Sequence, residues 1–404
     1  MCSGRRSAVS YSVVFVMVVW AALAAQAETG PESDPSDRYW DDAIGSVGLN
    51  AIPAAIAVGP SGVVYAGGYF TSAGGQTANY IAQWDNGSWS PLGTGMNGPV
   101  YALAVDASGV LYAGGQFTTA GGVSANRVAC WDGSNWAACG DGVNAPVFAL
   151  RLDDAGNLFV GGMFTQAGGV SASLIARWDG VVWSGLGSGL AVTAPGVVRD
   201  PAVNSIDFDS AGNVFAGGFF DTAGGAAANY IARWDGAAWS PLGAGVSTTV
   251  NGVAVDGDDT VYAAGEFQLA AGETVSYVAQ WDGASWHALS GGVAGQIRGL
   301  AVDDSGQVFV TGGFATAGGV SAMGIACWNG TGWGPLGSGT GMPGVSLTVD
   351  HNALFVGGSF TDVGGKTAHA IGLWQPRVNE NEVTVAAGSG PIVIGNDPHG
   401  FYKP

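Results

Sequence analysis

Val110 to Trp136, VLYAGGQFTTAGGVSANRVACWDGSNW, decides the fold. It reads as two apolar strands, Val110 to Phe117 and Asn126 to Trp131, joined by a Thr-x-Ala-Gly-Gly loop. A tight turn, Asp132-Gly133-Ser134, leads to a further strand that opens at Trp136, and Val100 to Val105 with the turn Asp106 to Gly109 stands in front. Copies of this plan fill nearly everything after the first 40 residues.

Each copy ends its third apolar run on a tryptophan: Trp84, Trp131, Trp178, Trp234, Trp281, Trp328 and Trp374, at intervals of 47, 47, 56, 47, 47 and 46 residues. A fixed period of this size, with turn residues every ten or so positions, marks a repeat architecture whose units cannot bury their faces alone. Four short strands per repeat make a propeller blade, so the expected fold is all-β, a seven-bladed β-propeller of four-stranded blades. Six copies carry a second tryptophan five residues on, opening the fourth strand, but Trp374 is followed by Gln375 and Pro376. The missing partner is Trp40, in RYWDDAIGSVGLN, which aligns with Ser88 to Asn97 if two residues are inserted. The ring is therefore expected to be closed by an N-terminal strand, which removes the unpaired edges that an open array would expose.

Outside the repeats, residues 1–27 read as a signal peptide: Arg5 and Arg6, an apolar run from Val9 to Ala24, then Ala25-Gln26-Ala27 as a small-x-small cleavage site. An uncleaved N-terminal anchor is the alternative. Residues 28–38, acidic and proline-bearing, read as a flexible lead, residues 39–376 as the propeller, and residues 377–404 as either a linker or a tail. Without Arg5 and Arg6 the 12 Lys and Arg fall to 10 against 31 Asp and Glu, a net charge of −21. A chain this acidic repels phosphate backbones, so nucleic acid is not an expected partner, and the mature chain shows no membrane span. Export permits disulfides, yet Cys130, Cys139 and Cys327 are an odd set, with a bridge between Cys130 and Cys139 left open.

The glycine pair Gly114-Gly115, the aromatic-Asp step Trp131-Asp132 and the second Trp136 resemble the kelch pattern. The fuller unit is similar to the kelch-like propeller repeats of secreted bacterial proteins and of the ectodomain of a fungal cortical cell-polarity marker. Trp stands where kelch has Tyr, and the kelch arginine pattern is missing. The resemblance covers about 335 residues. It implies a binding scaffold, and fold alone does not name a partner.

Chemistry is sparsely signalled. The glycine pairs end strands and open no helix, which argues against phosphate cradles. Asp106, Asp153, Asp209, Asp256, Asp303 and Asp350 recur where Asp caps its own turn, so structure explains them better than calcium does. Asn86-Gly-Ser88 and Asn329-Gly-Thr331 match the glycosylation sequon at positions where Asn-Gly serves a turn. No catalytic, cofactor or metal motif stands out, and no cofactor is expected.

The expected role is that of a secreted, monomeric, non-catalytic scaffold for a protein or surface polysaccharide. A multivalent lectin with pockets between blades and an enzyme assembled from several blades are the alternatives. The interval of 56 locates an insertion, Leu190 to Asn204, on the same side as the Thr-x-Ala-Gly-Gly loops. The candidate binding face therefore carries Thr71, Thr118, Thr165, Arg199, Asp200 and His369. In the first strand, Ala57, Ala104, Ala254 and Ala301 hold a small position where Arg151 and Asp207 break the rule with charge. An inner ion pair between them is expected, with Asp153 as the rival partner and a water-filled channel as the other outcome.

Overall fold

Residues 34–197, 199–351 and 353–375 are described by a computed structural model. The leader, the lead up to residue 33, Pro376 and the segment 377–404 lie outside the described residues. The described chain is all-β apart from one 3-10 turn, Pro35–Tyr39, and no helix in it is long and apolar enough to cross a membrane.

Alternating β-branched and small residues between Asp-Gly turns give seven four-stranded antiparallel sheets among the described residues. The sheet containing the quoted stretch runs Val100–Val105 (A, inner), Leu111–Gly115 (B), Val128–Trp131 (C) and Trp136–Ala138 (D, outer). Strand B is shorter than its apolar run, because Phe117 turns into the core, 1% exposed, and its carbonyl accepts from Arg127 N at 3.0 Å. Arg127 lies at φ 67°, a left-handed conformation that delays strand C to Val128.

The inner strands Pro53–Val58, Val100–Val105, Val147–Leu152, Ala202–Phe208, Val250–Val255, Ile297–Val302 and Gly344–Asp350 each contact the next, and Gly344–Asp350 contacts Pro53–Val58. Their close approach needs the glycine pair: a Cβ on Gly114 would stand 2.5 Å from Val147 Cγ1 of the following sheet. The cores lie in the seams, each built from two neighbouring sheets around a buried phenylalanine such as Phe117 or Phe164.

Trp40 pairs with Trp374, and the order of that sheet is Trp40–Asp41, Ile371–Trp374, Ala353–Gly358, Gly344–Asp350. Trp40 is 1% exposed, and its indole N–H donates to Leu336 O at 3.1 Å. Part of the expected flexible lead is structured instead. Asp34 caps the 3-10 turn, and the buried Asp37 carboxylate accepts from Ser338 N at 2.7 Å and from Ser338 Oγ.

Deleting residues 37–48 is expected to cost at least the ~3–5 kcal/mol of a lost buried tryptophan, since Ile371–Trp374 also loses its ladder partner. Urea titration against the parent reads this directly, and an unchanged midpoint would refute the pairing.

Candidate functional site

The Thr-x-Ala-Gly-Gly loops fold as two-residue ladders, Thr119 and Ala120 against Ser124 and Val123 in the second sheet. An asparagine from the preceding connection latches each of the first three. Asn97 Oδ1 accepts from Thr118 N and Thr119 N at 2.8 and 3.0 Å, and Asn97 Nδ2 donates to Thr118 Oγ1 at 2.8 Å. Asn50 holds Thr71, and Asn144 holds Thr165, in the same way. Thr71, Thr118 and Thr165 are exposed, but their hydroxyl oxygens already serve the latch. His369 is exposed, and its backbone ties Ile371–Trp374 to the N-terminal segment through Gly45 and Leu49.

The insertion starts as a strand: Leu190–Ala191 pairs with Thr222–Ala223 of the fourth loop. Asp221 accepts from Thr193 N and Ala194 N, both at 2.8 Å, and fixes the turn. Arg199 then crosses to the fifth sheet, donating to Thr249 Oγ1 at 2.7 Å and pairing with Glu266 Oε2 at 3.1 Å. Its guanidinium lies 4.9 Å from the centre of the Phe219 ring. Asp200 is exposed beside it. Arg199, Asp200, Glu266, Thr249 and Phe219 thus come together, whereas the three threonines and His369 sit on separate sheets.

The sequence reading missed the axial end of this face. Every inner strand carries a β-bulge at its second or, in Ala202–Phe208, its third position, so Ala54, Tyr101, Phe148, Asn204, Asn251, Arg298 and Val345 have no ladder partner on strand B. A bulge re-aims the extra side chain. Beside these stand the residues that end or follow each strand B, among them Tyr69, Gln116, Met163, Phe219 and Glu266.

One half of this end is aromatic. Tyr69 and Tyr101 have ring centroids 5.7 Å apart, and Tyr101 and Phe148 5.6 Å apart, an arc over three consecutive sheets. Tyr101 O–H donates to Gln116 Oε1 at 2.9 Å, and burial first, then the neighbouring Tyr69, holds its phenol well above the ordinary value and so protonated. The other half is polar: Asn204 Nδ2 donates to Val250 O, Asn251 Nδ2 donates to Ile297 O, and Arg298 is exposed next to them. These positions hold six residue types over the seven repeats while the residues that flank them stay small or apolar, a signal present in the sequence.

At the opposite end of the inner strands, Arg151 Nη2 lies 2.9 Å from Asp207 Oδ1. Asp207 is buried and also accepts from Val255 N at 2.9 Å, while the Arg151 side chain is 55% exposed. Asp153 is already engaged, accepting from Ala155 N, Asn157 N and Asn157 Nδ2 within its own turn. Asp106, Asp209, Asp256 and Asp303 cap their turns likewise. Among the described residues no group of three or more His, Cys, Asp and Glu side chains converges as a metal site.

Cys130, Cys139 and Cys327 are free thiols. Cys130 pairs across with Ala137, which puts Cys139 diagonally beside it. Their hydrogen bond lowers the Cys130 thiol to about 7 and raises that of Cys139, whereas burial pushes Cys327 up to about 12.

A family described as a domain of unknown function (DUF5122) beta-propeller matches residues 59–85, strands B and C of the first sheet with their loop. No curated protein matches the chain. Among solved structures, the extracellular domain of a protein described as a hybrid two component system of B. thetaiotaomicron aligns at TM-score 0.52 and 13% identity, over 81% of this chain and 39% of that one. The extracellular domain of a one component system of the same organism aligns at TM-score 0.50 and 11% identity, over 83% and 39%. Virginiamycin B lyase of Staphylococcus aureus, at TM-score 0.48 and 11% identity over 81% and 96%, is too distant to bear on activity. The fold is that of a β-propeller, and the chain spans about 39% of the extracellular domains it resembles.

Two measurements test this geometry. A double-mutant cycle of Arg151→Ala with Asp207→Ala is expected to give a coupling of about 0.5–1 kcal/mol, reduced by salt because Arg151 faces solvent; zero coupling would refute the pair. Alkylation by iodoacetamide is expected to modify Cys130 with a rate rising through pH ~7, well ahead of Cys327, and Cys139→Ala should move that midpoint up.

Proposed function

We propose that this chain is a secreted, monomeric, non-catalytic interaction scaffold: a seven-bladed, kelch-like propeller, closed by its N-terminal strand, that holds a protein or surface polymer on its loop-rich face. The observation that carries the reading is the set of bulges. A frame built from repeated residues aims one variable side chain from each inner strand at one end of the axis, beside the Arg199 insertion. Closure is supported by the pairing of Trp40 with Trp374 and by the contact between the first and last inner strands. Work outside the cytoplasm is supported by the leader-like segment and by the likeness to extracellular domains. A lectin with one tryptophan platform per seam fits less well, because Trp89, Trp136, Trp183 and their counterparts are buried.

Replacing Leu190 to Asn204 by the short connection of another repeat tests the reading. On an array of secreted proteins and cell-surface polymers, the variant should lose the spots that the parent binds and keep a parent-like melt, since surface connections tolerate shortening. Retention of every spot would refute the loop-rich face.

A further inference from the structure

We propose that the loop-side end of the axis is a single binding site for an uncharged glycan, with one sugar ring lying on the Tyr69, Tyr101 and Phe148 arc. This deepens the loop-face reading and rests on it. Three features of the chemistry select the ligand.

Tyr69, Tyr101 and Phe148 are half-buried rings held by one another across three sheets, so they give a rigid apolar platform that loses little entropy on binding. A sugar presents a C–H face that such rings cover. Hydrogen-bonding groups of fixed orientation border the platform. Tyr101 occupies Gln116 Oε1, and among the described residues nothing accepts from Gln116 Nε2. Asn204 and Asn251 commit their Nδ2 groups to the next inner strand and keep Oδ1 as acceptor. Fixed donors and acceptors beside an apolar face match vicinal hydroxyls on a ring.

The charges then exclude polyanions. Arg199, Asp200, Glu266 and Arg298 cancel at this end, within a chain of net charge −19. An acidic polymer would meet repulsion from the whole molecule with no net positive patch to offset it.

The test is titration calorimetry of the full chain with neutral soluble oligosaccharides: fragments of glucan, mannan, xylan and chitin. Expected are one site per chain for at least one fragment, binding insensitive to added sodium chloride, and affinity about tenfold weaker in Tyr101→Ala and in Phe148→Ala. Tyr101→Phe, which keeps the ring, should retain most of the affinity, and far-ultraviolet circular dichroism checks that all variants fold. Silence across the panel, several sites per chain, steep salt dependence, or full affinity in Tyr101→Ala would overturn the assignment. If the panel is silent while the Leu190 to Asn204 replacement still loses a protein partner, the glycan falls and the loop-face reading stands. Glycan binding that survives both Tyr101→Ala and the loop replacement would refute both.

Discussion

The indole N–H that opens each outer strand is the contact on which the frame depends. Trp136 donates to Leu92 O at 3.0 Å, Trp183 to Cys139 O at 2.9 Å, Trp239 to Leu186 O at 2.8 Å and Trp286 to Leu242 O at 2.9 Å. Trp333 reaches Leu289 O and Trp89 reaches Ile44 O, each at 2.9 Å, and Trp40 reaches Leu336 O. Every acceptor belongs to the connection that leaves the preceding sheet. A buried N–H must find a partner, so the seam has one register in which a large apolar surface and its polar atom are satisfied together. The loop above follows from this. Gly121 lies at φ 56°, and a Cβ there would stand 2.7 Å from Trp136 Cδ1, which is why Thr-x-Ala-Gly-Gly recurs. The fifth repeat puts Ala271 at that position, at φ 47°, and bears the left-handed strain instead.

Because seams are fixed mainly by tryptophan, phenylalanine and glycine at repeat positions, the bulged residue of each inner strand is not held to one type, although Asn204 and Asn251 each add a bond to the next inner strand. It is tyrosine in one copy, asparagine in two, and arginine or valine in others. Such freedom at one end of the axis explains why chemistry concentrates there, while the turn aspartates of the other end stay nearly invariant from copy to copy. Nearest-neighbour stacking of this kind separates stability, carried by the seams, from the proposed recognition, which is assigned to the bulges.

How much was legible in the sequence follows from range. The tryptophan period gave strand order and the Trp40 assignment because both are written in local pattern and count. Arg151 and Asp207 could be named together because they break the same repeat rule, although their contact needed coordinates. Glu266 could not be assigned to Arg199, 67 residues away, since nothing local in either segment points to the other. The arc of Tyr69, Tyr101 and Phe148 was hidden for a related reason: Tyr101 and Phe148 read as ordinary strand core until the bulge takes them out of the ladder, and Tyr69 meets them only from the end of a neighbouring sheet's strand B. The lead was misread by composition. Asp34-Pro-Ser-Asp37 looks solvated, but Asp34 and Asp37 cap one another's backbone, and Asp37 then satisfies Ser338.

That last contact lies beside the shortest outer strand. Trp40–Asp41 is a two-residue outer strand, shorter than the three or four residues of the other sheets, and no Asp-Gly hairpin joins it to its neighbour. Its ladder alone would fray, as short strands at a sheet edge do. The additional bonds fall around it: Asp37 to Ser338, Gln375 N to Tyr39 O, and Lys366 Nζ to Trp40 O, with the Tyr39 ring 5.4 Å from that of Trp374. Side chains of the lead therefore supply what covalent continuity supplies elsewhere. In the proposed ring the N-terminal segment is a fastening, and one of its acidic residues, Asp37, is buried against Ser338 rather than left to solvent.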